Sequence, residues 1–170
     1  MTKFLLAVHV IAAIVAIGPV TVAASMFPPT ARKALAEPGD AQTLATARLL
    51  HQICRVYATV GVVVPVFGFA TASNMGVLGD TWLIVSIALT ALAAVVLAAL
   101  VLPGQTAIME GIWDAGGGSV AGGASVAGGT EVAVIPKATA RLAMFTGIFN
   151  LLWATVTILM IIRPGSTTGA

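Results

Sequence analysis

The chain has 170 residues, of which 59% are hydrophobic and only 8% charged, with a formal net charge of +2. Soluble domains carry about 25% charged residues, so this composition, with a mean hydropathy of +1.06, excludes a water-covered globule and leaves no room for a separate soluble catalytic domain. The sequence pI of 9.1 rests on two net charges rather than on a clustered basic face, which excludes nucleic acid as a partner.

Four apolar stretches, 4–26, 56–73, 82–102 and 143–162, come close to the roughly 20 residues with which a helix crosses a hydrocarbon core ~30 Å thick. The expected fold is all-α: a polytopic membrane protein with four transmembrane helices in one compact bundle and a single domain over 1–170. The first stretch, Phe4–Met26, contains Pro19, which predicts a kink. Pro28-Pro29 predicts an end near Phe27. A cleaved signal peptide is the alternative here, with Lys3 as its basic start and Val22-Ala23-Ala24 as a cleavage site. The length of the run, and His9 and Pro19 within it, favour a retained span. Thr30–Asp40 then reads as a short charged loop with Pro38-Gly39 as its turn.

The second span carries an amphipathic extension, 41–55. Arg48, His51, Gln52 and Arg55 share one helix face, with Leu49, Leu50, Ile53 and Cys54 on the other. The span proper begins near Val56, and Pro65 predicts a second kink. Asn74–Asp80 reads as a tight turn, after which Trp82 opens the third span at an interface that favours amphipathic rings. Pro103-Gly104 predicts its close. Ile108, Met109, Ile112 and Trp113 then form an apolar stripe expected to lie on the membrane surface. The segment 115–132 repeats AGGGSV, AGGASV and AGGTEV and reads as a flexible cytoplasmic linker. A phosphate cradle would need a Gly-Lys-Ser/Thr ending and a preceding strand.

Orientation follows from the basic residues. The termini and the 74–81 turn carry Lys3 and Arg163, whereas the two connecting loops carry Arg32, Lys33, Arg48, Arg55, Lys137 and Arg141. Positive charge stays inside, so both loops are expected in the cytoplasm and both termini outside, across a bacterial plasma (inner) membrane.

Apolar side chains do not drive helices together in lipid. Small residues and cross-helix hydrogen bonds do. Three such faces are legible: His9, Ala12, Ala16, Pro19 and Ala23; Ser86, Thr90, Ala94 and Ala98; and Ala143, Gly147, Asn150, Ala154 and Thr157. On the last helix Phe145, Phe149, Leu152, Val156 and Leu159 are then expected to face lipid. The helix-packing candidates are Ala16, Ser86, Thr90, Gly147 and Asn150. They fit either an intrachain bundle or a bundle docked on other membrane subunits or a second copy.

Chemistry-bearing residues are few. Cys54 is the single cysteine, so it forms no intrachain disulfide. His9 lies within the first span, where an ionisable group is a functional candidate. It reads either as a haem or copper ligand or as a neutral imidazole bonded to a neighbouring helix. His51 belongs to the opposite end of the chain's spans. With Arg48 and Arg55 it makes either a face for anionic lipid headgroups or a solvated helix face. No carboxylate falls inside a span and no Ser-His-Asp, HExxH or paired-carboxylate set assembles. The expectation is therefore no enzymatic activity and no resident metal.

Lys3-Phe4-Leu5-Leu6-Ala7-Val8-His9-Val10, the Arg48–Phe69 run and Ile161-Ile162-Arg163-Pro164-Gly165 together resemble a bacterial four-helix integral membrane family of unknown function. That family is distantly similar to copper-resistance D and HemJ-type membrane proteins. The resemblance implies four spans and a first-helix histidine, matched by His9, that ligates haem or copper. In those relatives a tryptophan and a Gly-Gly pair follow that histidine. Here Ala16 and Gly18-Pro19 stand in their places.

Overall fold

A computed structural model describes residues 2–37, 39–117 and 131–165. Among these residues six α-helices follow one another: α1 (Thr2–Ala36), α2 (Ala41–Val60), α3 (Val63–Met75), α4 (Thr81–Val96), α5 (Leu102–Gly117) and α6 (Glu131–Ile162). A π-turn, Leu97–Val101, joins α4 to α5. No strand occurs among the described residues. The elements form four rods, α1, α2–α3, α4–α5 and α6, each long and apolar enough to cross a membrane.

Two of the expected ends are corrected. Pro28 and Pro29 lie inside α1, which continues to Ala36. Each proline deletes one backbone bond, but Ala24, Phe27 and Ala31 around them are fully buried, and tertiary packing of this kind outweighs local propensity. The loop thereby shrinks to 37–40, and Asp40 caps α2 by accepting from the Gln42 and Thr43 amides. Pro103-Gly104 likewise does not close the third rod. The Leu102 amide reaches back five residues to the Leu97 carbonyl, and this widened turn sits just upstream of the proline ring. The helix then runs on as α5.

That continuation overturns a third expectation. Ile108 and Ile112 are buried in the core with Ala31, Leu50 and Leu142, not laid on a lipid surface, while Trp113 is exposed. Of the Gly-rich segment, 115–117 belong to α5 and 131–132 to α6. The linker reading for 118–130 lies outside the described residues. Pro65 acts as expected: Gly61 and Val62 interrupt the second rod one turn before it. There the Val64 amide turns to the Gly61 carbonyl at 3.1 Å, since proline has no N–H to offer it.

The packing faces divide. On α1, Ala16 and Ala23 are buried and His9, Ala12 and Pro19 half-buried, as their spacing predicts. On α4, Ser86 is buried and Thr90 half-buried, but Ala94 is exposed, as is Ala98 in the π-turn. The buried line runs through Ser86, Ala93, Leu97 and Val101. A four-residue repeat drifts around a helix of 3.6 residues per turn, so it leaves the interface within three steps. On α6 the expectation is reversed. Phe149 and Val156 are buried, whereas Ala143, Gly147, Ala154 and Thr157 face outward. A Cβ on Gly147 would meet nothing within 4 Å. Phe149 and Val156 fill the intrachain interface, while these small residues share the outside with Met144, Ile148, Leu151 and Ile158. Leu49 also faces out, although the periodicity put it on the apolar face of α2.

Candidate functional site

His9 joins α1 to α3. Its Nδ1 lies 3.0 Å from the Val64 carbonyl oxygen. A carbonyl only accepts, so Nδ1 carries the proton, and in the neutral ring Nε2 keeps the lone pair. The imidazole rests directly on Gly68, where an added Cβ would stand 2.8 Å from Cε1. Glycine at 68 is what lets the ring approach the α3 backbone. The site is thus an imidazole of fixed tautomer braced against the half-helix beyond the Gly61–Val62 break.

His51 does not share the fate of its arginine neighbours. Its Nδ1 donates to Gln105 Oε1 at 3.1 Å, and Gln105 Nε2 donates to Cys54 Sγ at 3.4 Å. Gln105 and Cys54 are fully buried, and the Phe27 ring stands 6.3 Å from the imidazole. The result is a polar clasp holding α2 to α5 beside α1. Gln105 escaped the sequence reading because it follows Pro103-Gly104. Its signal is the shared face of Gln105, Ile108 and Ile112, visible only if the helix continues. Arg48 and Arg55 remain exposed. Arg48 lies over Trp113, 4.7 Å from the ring centre, and Arg55 lines a groove with Leu102, Pro103, Thr106, Ala107 and Glu110.

Asn150 bridges α6 to α1 by donating from Nδ2 to Ser25 Oγ at 3.0 Å. Its Oδ1, the Thr146 hydroxyl and the Trp153 indole N–H are buried with no hydrogen-bond partner among the described residues. The Ser86 and Thr90 hydroxyls turn back to the carbonyls of Trp82 and Ser86, at 2.8 and 2.7 Å. These two residues allow close approach but add no bond between helices. At the opposite end from Asp40, Trp82 donates to Asp80 Oδ2 at 3.0 Å. The Arg163 guanidinium covers its ring at 5.7 Å.

Outside the rods, Asp40 sits in a perturbed electrostatic setting. The hydroxyl and amide of Thr43, helped by the Gln42 amide and by Lys33, hold its carboxyl below the usual range. Lys33 Nζ stands 4.0 Å from it.

The donors fit a single-imidazole ligand better than a complete metal centre. His9 and Phe27, which touches His51, are about 27 Å apart along α1 at 1.5 Å per residue, so the two histidines do not share an iron. Among the described residues no group of three or more His, Cys, Asp or Glu side chains is placed to hold a metal. No family model, curated protein or solved structure matches the chain.

Proposed function

We propose that the chain is a non-catalytic multi-pass protein of the bacterial plasma membrane, acting as a structural or accessory subunit. Its four rods cross the bilayer as one compact bundle, with both loops cytoplasmic and both termini outside. The observation that carries the accessory role is the outward face of α6, where Ala143, Gly147, Ala154 and Thr157 are exposed and a Cβ at Gly147 would meet nothing within 4 Å. In lipid, small residues mark where another helix approaches closely, and here that helix belongs to another subunit or a second copy. Mild-detergent purification tests this. The expected species is a complex that Gly147→Leu dissociates without loss of helicity. A lone monomer from both wild type and variant contradicts it.

A second reading, haem or copper binding at His9, is favoured by the Nδ1 bond to Val64, since a ligating histidine characteristically donates its other nitrogen. A Soret band or stoichiometric copper that vanishes in His9→Ala supports it. A colourless, metal-free preparation removes it.

A further inference from the structure

Two levels one bilayer apart can be measured along the rods. Trp82 and Leu102 are about 30 Å apart along α4–α5, and Arg141 and Arg163 about 33 Å apart along α6, at 1.5 Å per residue. A hydrocarbon core is ~30 Å thick. The Arg163–Trp82 contact sets the outer ends of these rods at one height. The inner boundary therefore passes near Leu102 and Arg141, and Arg55 of α2 shares a groove with Leu102 at that boundary.

This groove, about 490 Å³ between α2 and α5, has Arg55 and Glu110 in its wall with Leu102, Pro103, Thr106 and Ala107. The two charges are opposite, yet they make no ion pair. Among the described residues the ion pair is Lys33–Asp40. Glu110 lies about two helical turns beyond Leu102, on the side away from the hydrocarbon. The wall between is apolar apart from Thr106, whose hydroxyl donates to the Leu102 carbonyl at 3.1 Å and so keeps its lone pairs for an incoming donor. The Cys54–Gln105 bond sets Arg55 near the level of Thr106, so moving out of the membrane the groove offers the apolar wall of Leu102 and Pro103, then a cation beside an acceptor, then the Glu110 anion.

A phospholipid with a primary ammonium carries the complementary sequence: acyl chain, phosphate, ammonium. We infer that this groove binds the headgroup of such an aminophospholipid, with its phosphate on Arg55 and its ammonium on Glu110. The inference rests on the membrane embedding proposed above. Guanidinium suits a phosphate by geometry, and a primary ammonium brings three N–H donors to the carboxylate. A choline headgroup has no N–H, and a glycerol headgroup has no cation, so each satisfies only part of the site.

The full chain reconstituted in vesicles of equal phosphatidylethanolamine, phosphatidylcholine and phosphatidylglycerol, then extracted gently and read by native mass spectrometry, tests the assignment. The wild type is expected to retain phosphatidylethanolamine about threefold over phosphatidylcholine, the scale of one exposed ion pair, and above phosphatidylglycerol. Glu110→Gln, at an exposed position, abolishes that preference, Glu110→Asp keeps it, and Arg55→Gln lowers retention of phosphatidylethanolamine. Equal retention of the ethanolamine and choline lipids by the wild type overturns the inference. So does a preference for phosphatidylglycerol, or an ethanolamine preference that survives Glu110→Gln. Retention of no phospholipid overturns it too, whereas failure of the chain to enter the vesicles at all removes the membrane embedding itself, and the inference with it.

Discussion

The imidazole of His9 and the missing side chain of Gly68 work as a pair. Filling the glycine places a methyl group 2.8 Å from His9 Cε1, and backbone on one side with a ring on the other leaves little room to yield. Gly68→Ala is expected to destabilise the protein by about 1–3 kcal/mol, the usual cost of overpacking. Because the clash is with that ring, His9→Ala should recover much of the loss. A double-mutant cycle on thermal midpoints in detergent checks this, and purely additive effects would refute the contact. Asp40 is a different case, since its acceptors serve the first turn of α2 from an exposed loop. Its folded-state pKa is lowered, so its contribution is present above the ordinary carboxylate pKa. It is lost as pH falls through the folded value. Asp40→Ala should therefore lower the melting temperature at neutral pH and flatten its acid dependence below about pH 4. A wild type with no acid dependence there would contradict the capping role.

Among the elements, α5 is the one that local rules misjudge. Proline followed by glycine reads as a stop, and the four rods were legible mainly because hydropathy over twenty residues is a strong signal. What a local rule does not include is the partner surface. Gln105, Ile108 and Ile112 repeat at helical spacing beyond Pro103, and they face Cys54, His51 and the buried end of α1. That packing and the π-turn carry the helix through. The same reason explains α1, where Phe27 and Ala31 on either side of the proline pair are buried. Gln105→Leu removes both bonds of the clasp and leaves the His51 N–H without its acceptor. The expected loss is about 1–3 kcal/mol, the penalty for stranding a buried polar group, read as a lower thermal midpoint with unchanged helicity. An unchanged or higher midpoint would show that α2 and α5 hold together by apolar packing alone. On α6 it is Phe149 and Val156, expected to face lipid, that the structure buries. Periodicity identifies a stripe, but not whether the neighbour belongs to the same chain.

Considered as a whole molecule, the rods are longer than a bilayer requires. A 35-residue helix such as α1 spans about 52 Å, against a hydrocarbon core of ~30 Å. The excess gathers at one end, where α1, α2 and α5 continue past Phe27, Arg55 and Pro103. There they bury Ala31, Ala34, Leu50, Ile108 and Ile112 together. The chain thus combines four rods long and apolar enough to cross a membrane with a short helical stub that buries its own apolar core, and the basic residues Arg32, Lys33, Arg48, Arg55, Lys137 and Arg141 belong to that end. On the accessory reading proposed above, a partner would meet two surfaces: the outward face of α6 and the stub.

Labelling with a membrane-impermeant maleimide tests most directly whether the α2–α3 rod crosses a bilayer. In a Cys54→Ala background, single cysteines replace Glu37, Gly79 and Pro164, all exposed, in the first and second inter-rod turns and the carboxyl tail. Gly79→Cys and Pro164→Cys are predicted to react in intact cells, and Glu37→Cys only after lysis. Reaction of Glu37→Cys and Gly79→Cys from the same side would contradict the account, because α2–α3 would then not cross the bilayer.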